Sequence, residues 1–545
     1  MVGDYTSLPR RPPTFLKLLK MPSELDYTDE KNVESQDPKV VAVQVDDTLQ
    51  DVDIDDPNLD DAGRFLAAMA LRPDSAELFA DYTPEEEKAM VRKADWIILP
   101  ILLVAIMMGA VDKVALGTAA VLGLRADLGL VGQQYSWSSS LIFFGSLVSV
   151  FPALFFMQRY KSGKLMGSNV FIWGILSLCH VACRNFAGLA VCRFILGLFE
   201  ALTLPGATLV ITSWYSREEA VFRTAIVFST LSSVTNGLLS YASSFLESSK
   251  LKQWQLLYIL IGVLTLAIGI VMIVFLPDAP YSAWWLTPRQ RVIAVKRLEN
   301  NKIGIMNKTF KLAQAKEAVL DPKSWFYFLI NICLNVPNSG ILTFYSIIVA
   351  SLGYSTRNAT LLAIPTGLVS YAAALIFSYI ATKTKQRCFT AIASCFVPLL
   401  ATILLHVIPR SNIGGSLASL MLIYAYWAPY VVMNTLVAGN TGGFTKKTVV
   451  YGIAYLGYLV GNIIGPQTFK AEQSPTYTGG VVGMLICYCI AILLILAYYL
   501  YIRRLQSRTD KDARNNTDDP AEVAEGAEVW KDETDKENKS FAFIR

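Results

Sequence analysis

The strongest constraint on this chain is a series of apolar stretches, each about long enough to cross a bilayer. The hydrocarbon core of a membrane takes roughly 20 mostly apolar residues in helical form. That ruler, laid along residues 96–502, finds twelve candidates. Six precede a polar segment, at about 96–122, 136–157, 164–183, 187–210, 222–245 and 254–276. Six follow it, at about 325–350, 359–381, 387–408, 415–440, 448–469 and 479–502. The stretches at 222–245 and 448–469 are the least apolar, rich in Ser, Gly and Asn. Backbone polar groups in lipid must be satisfied within the segment or in a closed barrel. Stretches of this length therefore predict an all-α membrane protein, with twelve transmembrane helices in two six-helix halves.

The distribution of charge agrees. The chain is 53% hydrophobic and 17% charged, where soluble proteins run near about 25% charged. Of its 44 acidic residues, 22 fall in 1–95 and 11 in 503–545, which leaves 11 across 96–502 against 28 Lys and Arg. Two acidic tails flank a basic, apolar body, which excludes a soluble enzyme, a nucleic-acid binder and a secreted disulfide scaffold. The expected divisions are an acidic, largely disordered N-terminal tail (1–95), a six-helix bundle (96–277), a charged central loop (278–324), a second six-helix bundle (325–502) and an acidic C-terminal tail (503–545). The basic opening is not followed by the apolar run of a signal peptide, and such low hydrophobicity with high charge does not offset chain entropy. Phe15-Leu16-Lys17-Leu18-Leu19-Lys20 reads as a surface-lying amphipathic piece or simply as a basic patch. Thr83-Pro84-Glu85-Glu86 carries the residues of a capped helix start and predicts a short helix leading into Lys93-Ala94-Asp95-Trp96.

Cytoplasmic loops carry the excess of Lys and Arg. With the N-terminal tail in the cytoplasm, the loops on that side hold 19 basic residues and the opposite loops seven, so both termini are expected in the cytoplasm. The eight cysteines sit in or beside the spans, where they act as small hydrophobes, and two histidines without acidic neighbours in sequence make no metal site. Asn358-Ala359-Thr360, the glycosylation triplet on the other face, falls too close to a span to be used. Walker, zinc-ligand, GxSxG and dinucleotide-binding motifs are missing, so no cofactor, ATP-driven work or enzymatic activity is expected.

Ionisable side chains inside the hydrocarbon are costly and mark function by default. Four lie deep in the predicted spans: Asp112, Lys113, Arg193 and Glu200. Asp112 and Lys113 are neighbours about 100° apart on their helix, so they need not share one cavity. Arg193, Gly197 and Glu200 fall on one face of the fourth span. Their seven-residue separation is about 10.5 Å of rise, too far for Arg193 and Glu200 to pair along the helix. Two readings stand: Arg193 or Lys113 holds an anionic substrate while Asp112 or Glu200 carries a proton, or Asp112 pairs with Arg193 in a purely structural network. The seventh span adds Asn331, Asn335, Pro337, Asn338 and Ser339. The tenth adds Tyr424, Tyr426, Trp427, Tyr430 and Asn434. The eleventh carries Tyr458 and Asn462 among glycines at 457, 461 and 465, spaced to let another helix approach closely.

Several strings resemble the fungal allantoate permease family of the major facilitator superfamily. They are Asp112-Lys113, Tyr135-Ser136-Trp137, Arg193-Phe-Ile-Leu-Gly197-Leu-Phe-Glu200, Trp214-Tyr215-Ser216-Arg217-Glu218-Glu219 with Arg223, and Leu276-Pro277-Asp278. Further on come Ala318-Val319-Leu320-Asp321-Pro322-Lys323, Asn335-Val336-Pro337-Asn338, Gly443-Phe444-Thr445-Lys446-Lys447, Gly461-Asn462-Ile463-Ile464-Gly465-Pro466-Gln467 and Pro475-Thr476-Tyr477-Thr478-Gly479. The match runs over about 82–502. It implies the major facilitator fold, whose halves rock around a midplane site, and proton-coupled uptake of a small carboxylate such as allantoate, ureidosuccinate, nicotinate or pantothenate. On that basis Arg193 and Lys113 are expected to attract the anion, Asn335, Asn338, Asn462 and Tyr458 to orient it, and Asp112 and Glu200 to couple the proton. The expected setting is a monomer in the fungal plasma membrane. Export of an acidic metabolite, or nutrient sensing through the tails, are the rival readings. Departures from the family pattern at the fifth span, Ser229 to Gly237, and at Ser339 point to a different substrate from the best-known members. Lys446 and Lys447 read as topology-setting charges.

Overall fold

The computed structural model of the protein describes residues 61–160, 162–215, 219, 223–224, 226–227, 231–246, 250–300, 311–515, 534–537 and 543–544. Among the described residues there is no strand. In chain order the α-helices of five residues or more are α1 (Asp61–Ala70), α2 (Ser75–Phe79), α3 (Pro84–Val121), α4 (Gln134–Arg159), α5 (Ser162–Cys179), α6 (Phe186–Glu200) and α7 (Thr203–Trp214). They continue as α8 (Ser232–Ser243), α9 (Gln253–Phe275), α10 (Pro288–Asn300), α11 (Leu312–Leu320), α12 (Pro322–Ser351), α13 (Thr356–Leu361) and α14 (Ala363–Thr384). The last are α15 (Arg387–Val407), α16 (Ile413–Ile423), α17 (Trp427–Gly439), α18 (Phe444–Gln467) and α19 (Thr478–Asn515).

Among the described residues, ten helical segments are long and apolar enough to cross a membrane. They fall on ten of the twelve predicted spans. The fourth predicted span, 187–210, is instead two helices, α6 and α7, with a turn at Ala201-Leu202 between them. Pro205, in the first turn of α7, has no N–H for the carbonyl of Ala201, so an unbroken ladder is impossible there. Of the fifth, 222–245, the longest described helical run is α8.

By its internal contacts the chain divides into two compact units. Of the described residues, the first takes in those of 61–100, 209–223 and 275–300; the second takes in those of 101–208, 224–274 and from 311 on. In the first unit, residues 61–79, part of the tail expected to be largely disordered, form α1 and α2. Leu66, Ala70, Leu78 and Phe79 pack with Val292 and Val295 of α10 into a small core, a partner more than 200 residues away that local composition does not reveal. The expectations for residues 1–60, the Phe15–Lys20 piece included, lie outside the described residues. The predicted cap forms: Glu86 N donates to Thr83 Oγ1 at 3.2 Å and Thr83 N to Glu86 Oε2 at 3.0 Å. The helix it starts is not short, however, because α3 continues for 38 residues with Pro100 inside it.

Arginines lace this unit together. Arg223 grips Asp95 through two nitrogens at 2.7 and 2.8 Å. Arg289 does the same to Glu86 at 3.0 and 3.1 Å, and those bonds raise its guanidinium above the ordinary arginine value. The Arg297 side chain, 3% exposed, sits between Glu87 at 3.3 Å and Glu219.

In the second unit α12 is the central element, and α18 runs against it. A Cβ on Gly457 would come within 2.3 Å of the Phe328 carbonyl oxygen, and one on Gly465 within 2.4 Å of that of Val336. The glycine spacing thus serves helix approach, as predicted. α4 and α6 meet as closely, where a Cβ on Gly197 would lie 1.9 Å from the Ile142 carbonyl oxygen. Large apolar side chains face outward on the peripheral helices, among them Ile376 and Tyr379 of α14, Leu400 of α15 and Leu493 of α19, each more than half exposed. Such a surface needs lipid to cover it. All eight cysteines are free. Thr360 of the glycosylation triplet is buried within α13.

Candidate substrate and proton site

The four intramembrane charges come together in the second unit, where α3, α5, α6 and α9 supply their partners. Asp112 and Lys113 turn to different neighbours, as their angular separation requires. Lys113 Nζ lies 2.5 Å from Glu200 Oε1 and stands 5.8 Å and 5.9 Å from the ring centres of Phe143 and Tyr458. Tyr455 stacks on Tyr458 at 5.5 Å, with the Tyr430 ring 5.9 Å away. This aromatic surround gives the ammonium a favourable quadrupole without neutralising it. The other Glu200 oxygen, Oε2, is buried without a hydrogen-bond partner.

Asp112 is fully buried. Its Oδ2 accepts from Trp173 Nε1 at 2.8 Å and Ser177 Oγ at 2.9 Å, while Oδ1 has no partner. Arg193, 1% exposed, donates to the Tyr258 hydroxyl at 2.7 Å and to the backbone oxygen of Asp112 at 3.4 Å. The side-chain pair of Asp112 with Arg193, one of the two sequence readings, is therefore not formed. Neutral donors on α5 occupy the carboxylate, and the guanidinium reaches the main chain instead. His180 stacks on Tyr258 at 4.7 Å.

Lys113 and Arg193 both line a small cavity with Leu116, Ser139, Ile142, Phe143, Ser339, Leu342 and Thr343. Its volume is about 10 Å³, room for about one water molecule. Helices from both predicted halves meet here, α3, α4 and α6 with α12. Just beyond the cavity the halves are sealed. Tyr135 donates to the Thr343 carbonyl at 2.8 Å, the Ser139 and Thr343 hydroxyls are 2.7 Å apart, and Ser140 donates to the Ile463 carbonyl at 2.7 Å. Gln467 Nε2 adds a bond to Ser140 at 3.0 Å.

The predicted polar groups of α12 and α18 engage one another. Asn338 Nδ2 donates to Asn335 Oδ1 and to Asn462 Oδ1, both at 3.1 Å, and Asn462 Nδ2 donates to the Tyr458 carbonyl at 2.7 Å. Asn338 Oδ1 is left without a partner. Asn335, Asn338 and Asn462 thus clasp two helices, and of the four residues expected to orient substrate only Tyr458 approaches the Lys113 ammonium. Sequence reasoning missed Trp173, Ser177 and Tyr258, whose pattern is that of any apolar span. It also passed over Ser139, although three consecutive serines in the second span were a visible signal. Among the described residues, no cluster of His, Cys, Asp or Glu could hold a metal.

A bundle of long apolar helices around buried, incompletely partnered charges is the architecture of a membrane transporter. The chain belongs to the major facilitator superfamily, whose family model matches residues 101–466. It is 33% identical to the MFS-type transporter cnsL of Penicillium expansum, over 86% of this chain and 92% of that one. It is 32% identical to the allantoate permease of Saccharomyces cerevisiae, over 87% and 89%. Among solved structures, a D-xylose–proton symporter superimposes with a TM-score of 0.56 at 14% identity, over 73% of this chain and 96% of that one. A bacterial homologue of the human lysosomal transporter Spinster, in an inward-facing conformation, gives the same TM-score at 13% identity, over 77% and 97%. The protein is a multi-pass secondary transporter and not an enzyme.

Proposed function

We propose that the protein imports a small organic anion together with a proton, by alternating access, through the site around Lys113, Glu200, Arg193 and Asp112. The observation that carries this reading is the Lys113–Glu200 ion pair beside a cavity that Arg193 also lines. The four charges sum to zero in a region of low dielectric. A carboxylate that binds Lys113 and Arg193 leaves one negative charge uncompensated, which is costly away from water. Protonation of Glu200 as its ion pair opens restores neutrality, so anion and proton bind more favourably together than apart. Asp112, with a partnerless Oδ1, is the second proton candidate. Tyr458 and its aromatic neighbours wall the anion, and Asn335, Asn338 and Asn462 supply hydrogen bonds once the α12–α18 clasp loosens. The relationship to a protein named allantoate permease supports an organic anion as cargo.

The cavity is too small for any such acid, and the described conformer is sealed at the end where α4 begins. With both tails in the cytoplasm, that end faces outward. The setting we propose is a monomer in the plasma membrane. The test is uptake of a panel of labelled carboxylates by cells expressing the chain, with and without a protonophore. Accumulation of one acid that the protonophore abolishes supports the reading. Surface-localised protein that accumulates no acid contradicts it and favours export.

A further inference from the structure

The sequence assigns the C-terminal tail no more than acidity, yet part of it occupies a built receptacle on the second unit. Asp535 is 4% exposed and lies between two buried lysines. One of its oxygens meets Lys323 Nζ; the other lies 2.8 Å from Lys446 Nζ and accepts from Gly442 N at 3.1 Å. Lys446, with no exposed surface, also reaches Glu317 at 2.8 Å and Asp321 at 2.9 Å. Lys323 Nζ donates to the Asn440 carbonyl at 2.9 Å.

Further along, Phe543 enters the same core as Tyr327, Leu436 and Tyr498, with Lys323 Nζ 4.9 Å from its ring centre. Its N–H donates to Gln506 Oε1 at 2.8 Å. Ile544 exchanges two hydrogen bonds with the Asn440 side chain, at 2.6 and 2.8 Å. Gly439 makes room for it, since a Cβ there would fall 2.4 Å from Ile544 Cδ1. The receptacle thus has a cationic slot for one carboxylate, an apolar slot for an aromatic ring and a backbone-reading amide. Withdrawal of the tail would leave Lys323 with Asp321, 3.6 Å away, as its remaining acidic partner among the described residues.

Two of the helices that build this receptacle, α12 and α18, also carry the seal at the other end of the bundle. Lys323 and Thr343 lie on one rod, α12, about 30 Å apart at 1.5 Å per residue. Lys446 and Gln467 lie likewise at opposite ends of α18. We propose that Asp535, Phe543 and Ile544 form an intramolecular ligand that latches the ends of α12, α17 and α18 and so restrains opening of the sealed end. The segment acts as a brake on alternating access. A receptacle that reads one acid, one ring and an amide is also the surface on which a competing acidic–aromatic peptide would release that brake. This inference rests on the transporter class alone and not on the choice of substrate or proton.

Hydrogen–deuterium exchange on the full-length purified chain tests it without a substrate. The amides of Gly442, Phe543 and Ile544 should be protected in the unmodified protein and exchange at least tenfold faster in Asp535→Lys. The loops at the sealed end, around 128–134 and 468–478, should speed up several-fold in the same variant. Ile544→Asp, which spares the lysine slot, should free Phe543 and Ile544 and give a smaller rise at the sealed end. Should Asp535→Lys lose protection throughout, Ile544→Asp decides the matter alone. Unprotected tail amides in the unmodified protein overturn the proposal. A released tail with an unchanged sealed end overturns the brake.

Discussion

The protein buries two clusters of charge in its second unit, and they are finished to different degrees. At the tail, Lys323 and Lys446 each have acidic partners at contact distance, with Asp321, Asp535 and Glu317 supplying them. Around α6, one cation is paired and the other is not. Lys113 has Glu200, but Arg193 has a phenol and a carbonyl, and Asp112 has an indole and a hydroxyl. Polar atoms without a hydrogen-bond partner remain on Asp112, Arg193 and Glu200, whereas Asp321 Oδ2 of the tail cluster, which also lacks one, has the Lys446 ammonium 2.9 Å away. Buried polar groups are normally satisfied, so the less complete cluster is the one that suits the proposed substrate and proton, and the more completely paired one is the seat of the tail. In the tail, the two lysines also outweigh burial: desolvation pushes the Asp535 carboxyl up, but Lys323 and Lys446 hold it below the ordinary aspartate value.

That contrast can be broken by substitution. The largest effect belongs to Lys446→Met, which removes the cation shared by Asp321, Asp535 and Glu317 and leaves Lys323 as the remaining lysine against them. Removal of one partner from a buried ion-pair network costs about 3–5 kcal/mol, so thermal unfolding in detergent should show a drop of several degrees. An unchanged melting temperature would mean that the tail cluster is not a structural hub. Trp173→Phe should cost less, about 1–3 kcal/mol for a donor removed from a buried acceptor, and the same melting assay reads it. Stability equal to the unmodified protein would place Asp112 in water rather than among neutral donors. Arg193→Ala should raise the apparent KM for the transported anion about tenfold, or about 1.4 kcal/mol, with surface expression retained. Loss of the protein from the membrane would instead make Arg193 structural.

The smallest effect is a predicted absence of change with pH. Asp535 has its pKa lowered on docking, so its contribution is fully present above the ordinary aspartate value and lost only as pH falls through the docked value. Tail protection, corrected for intrinsic exchange, should be flat from pH 8 to pH 5. A fall within that range would contradict the assigned lysine partners.

Much of this molecule was readable in advance because lipid imposes simple rules. Length and apolarity located ten of the spans, and charge cost singled out Asp112, Lys113, Arg193 and Glu200. The four-residue glycine spacing in α18 predicted the close approach of another helix, which the structure identifies as α12. What stayed hidden depends on contacts between distant residues. Nothing local distinguishes Trp173 and Ser177 from packing residues of a span, nor does the acidic text around Asp535 announce that two lysines, more than 80 and 200 residues earlier, will bury it. Lys446, read as a topology charge, has no exposed surface at all. Residues 61–79 followed the same logic, since their core is completed by α10. The asparagines at 335, 338 and 462 were legible as polar groups within spans, but that their helices face one another and that they bond to each other required coordinates.

The coupling role of Glu200 is the central claim, and reconstituted protein tests it most directly. Proteoliposomes containing the unmodified chain or Glu200→Gln are given an inward proton gradient and the labelled acid identified by uptake screening. The account predicts accumulation by the unmodified protein, with Glu200→Gln limited to exchange of internal for external acid. Equal accumulation by Glu200→Gln would remove Glu200 from proton coupling and make its ion pair with Lys113 a structural one.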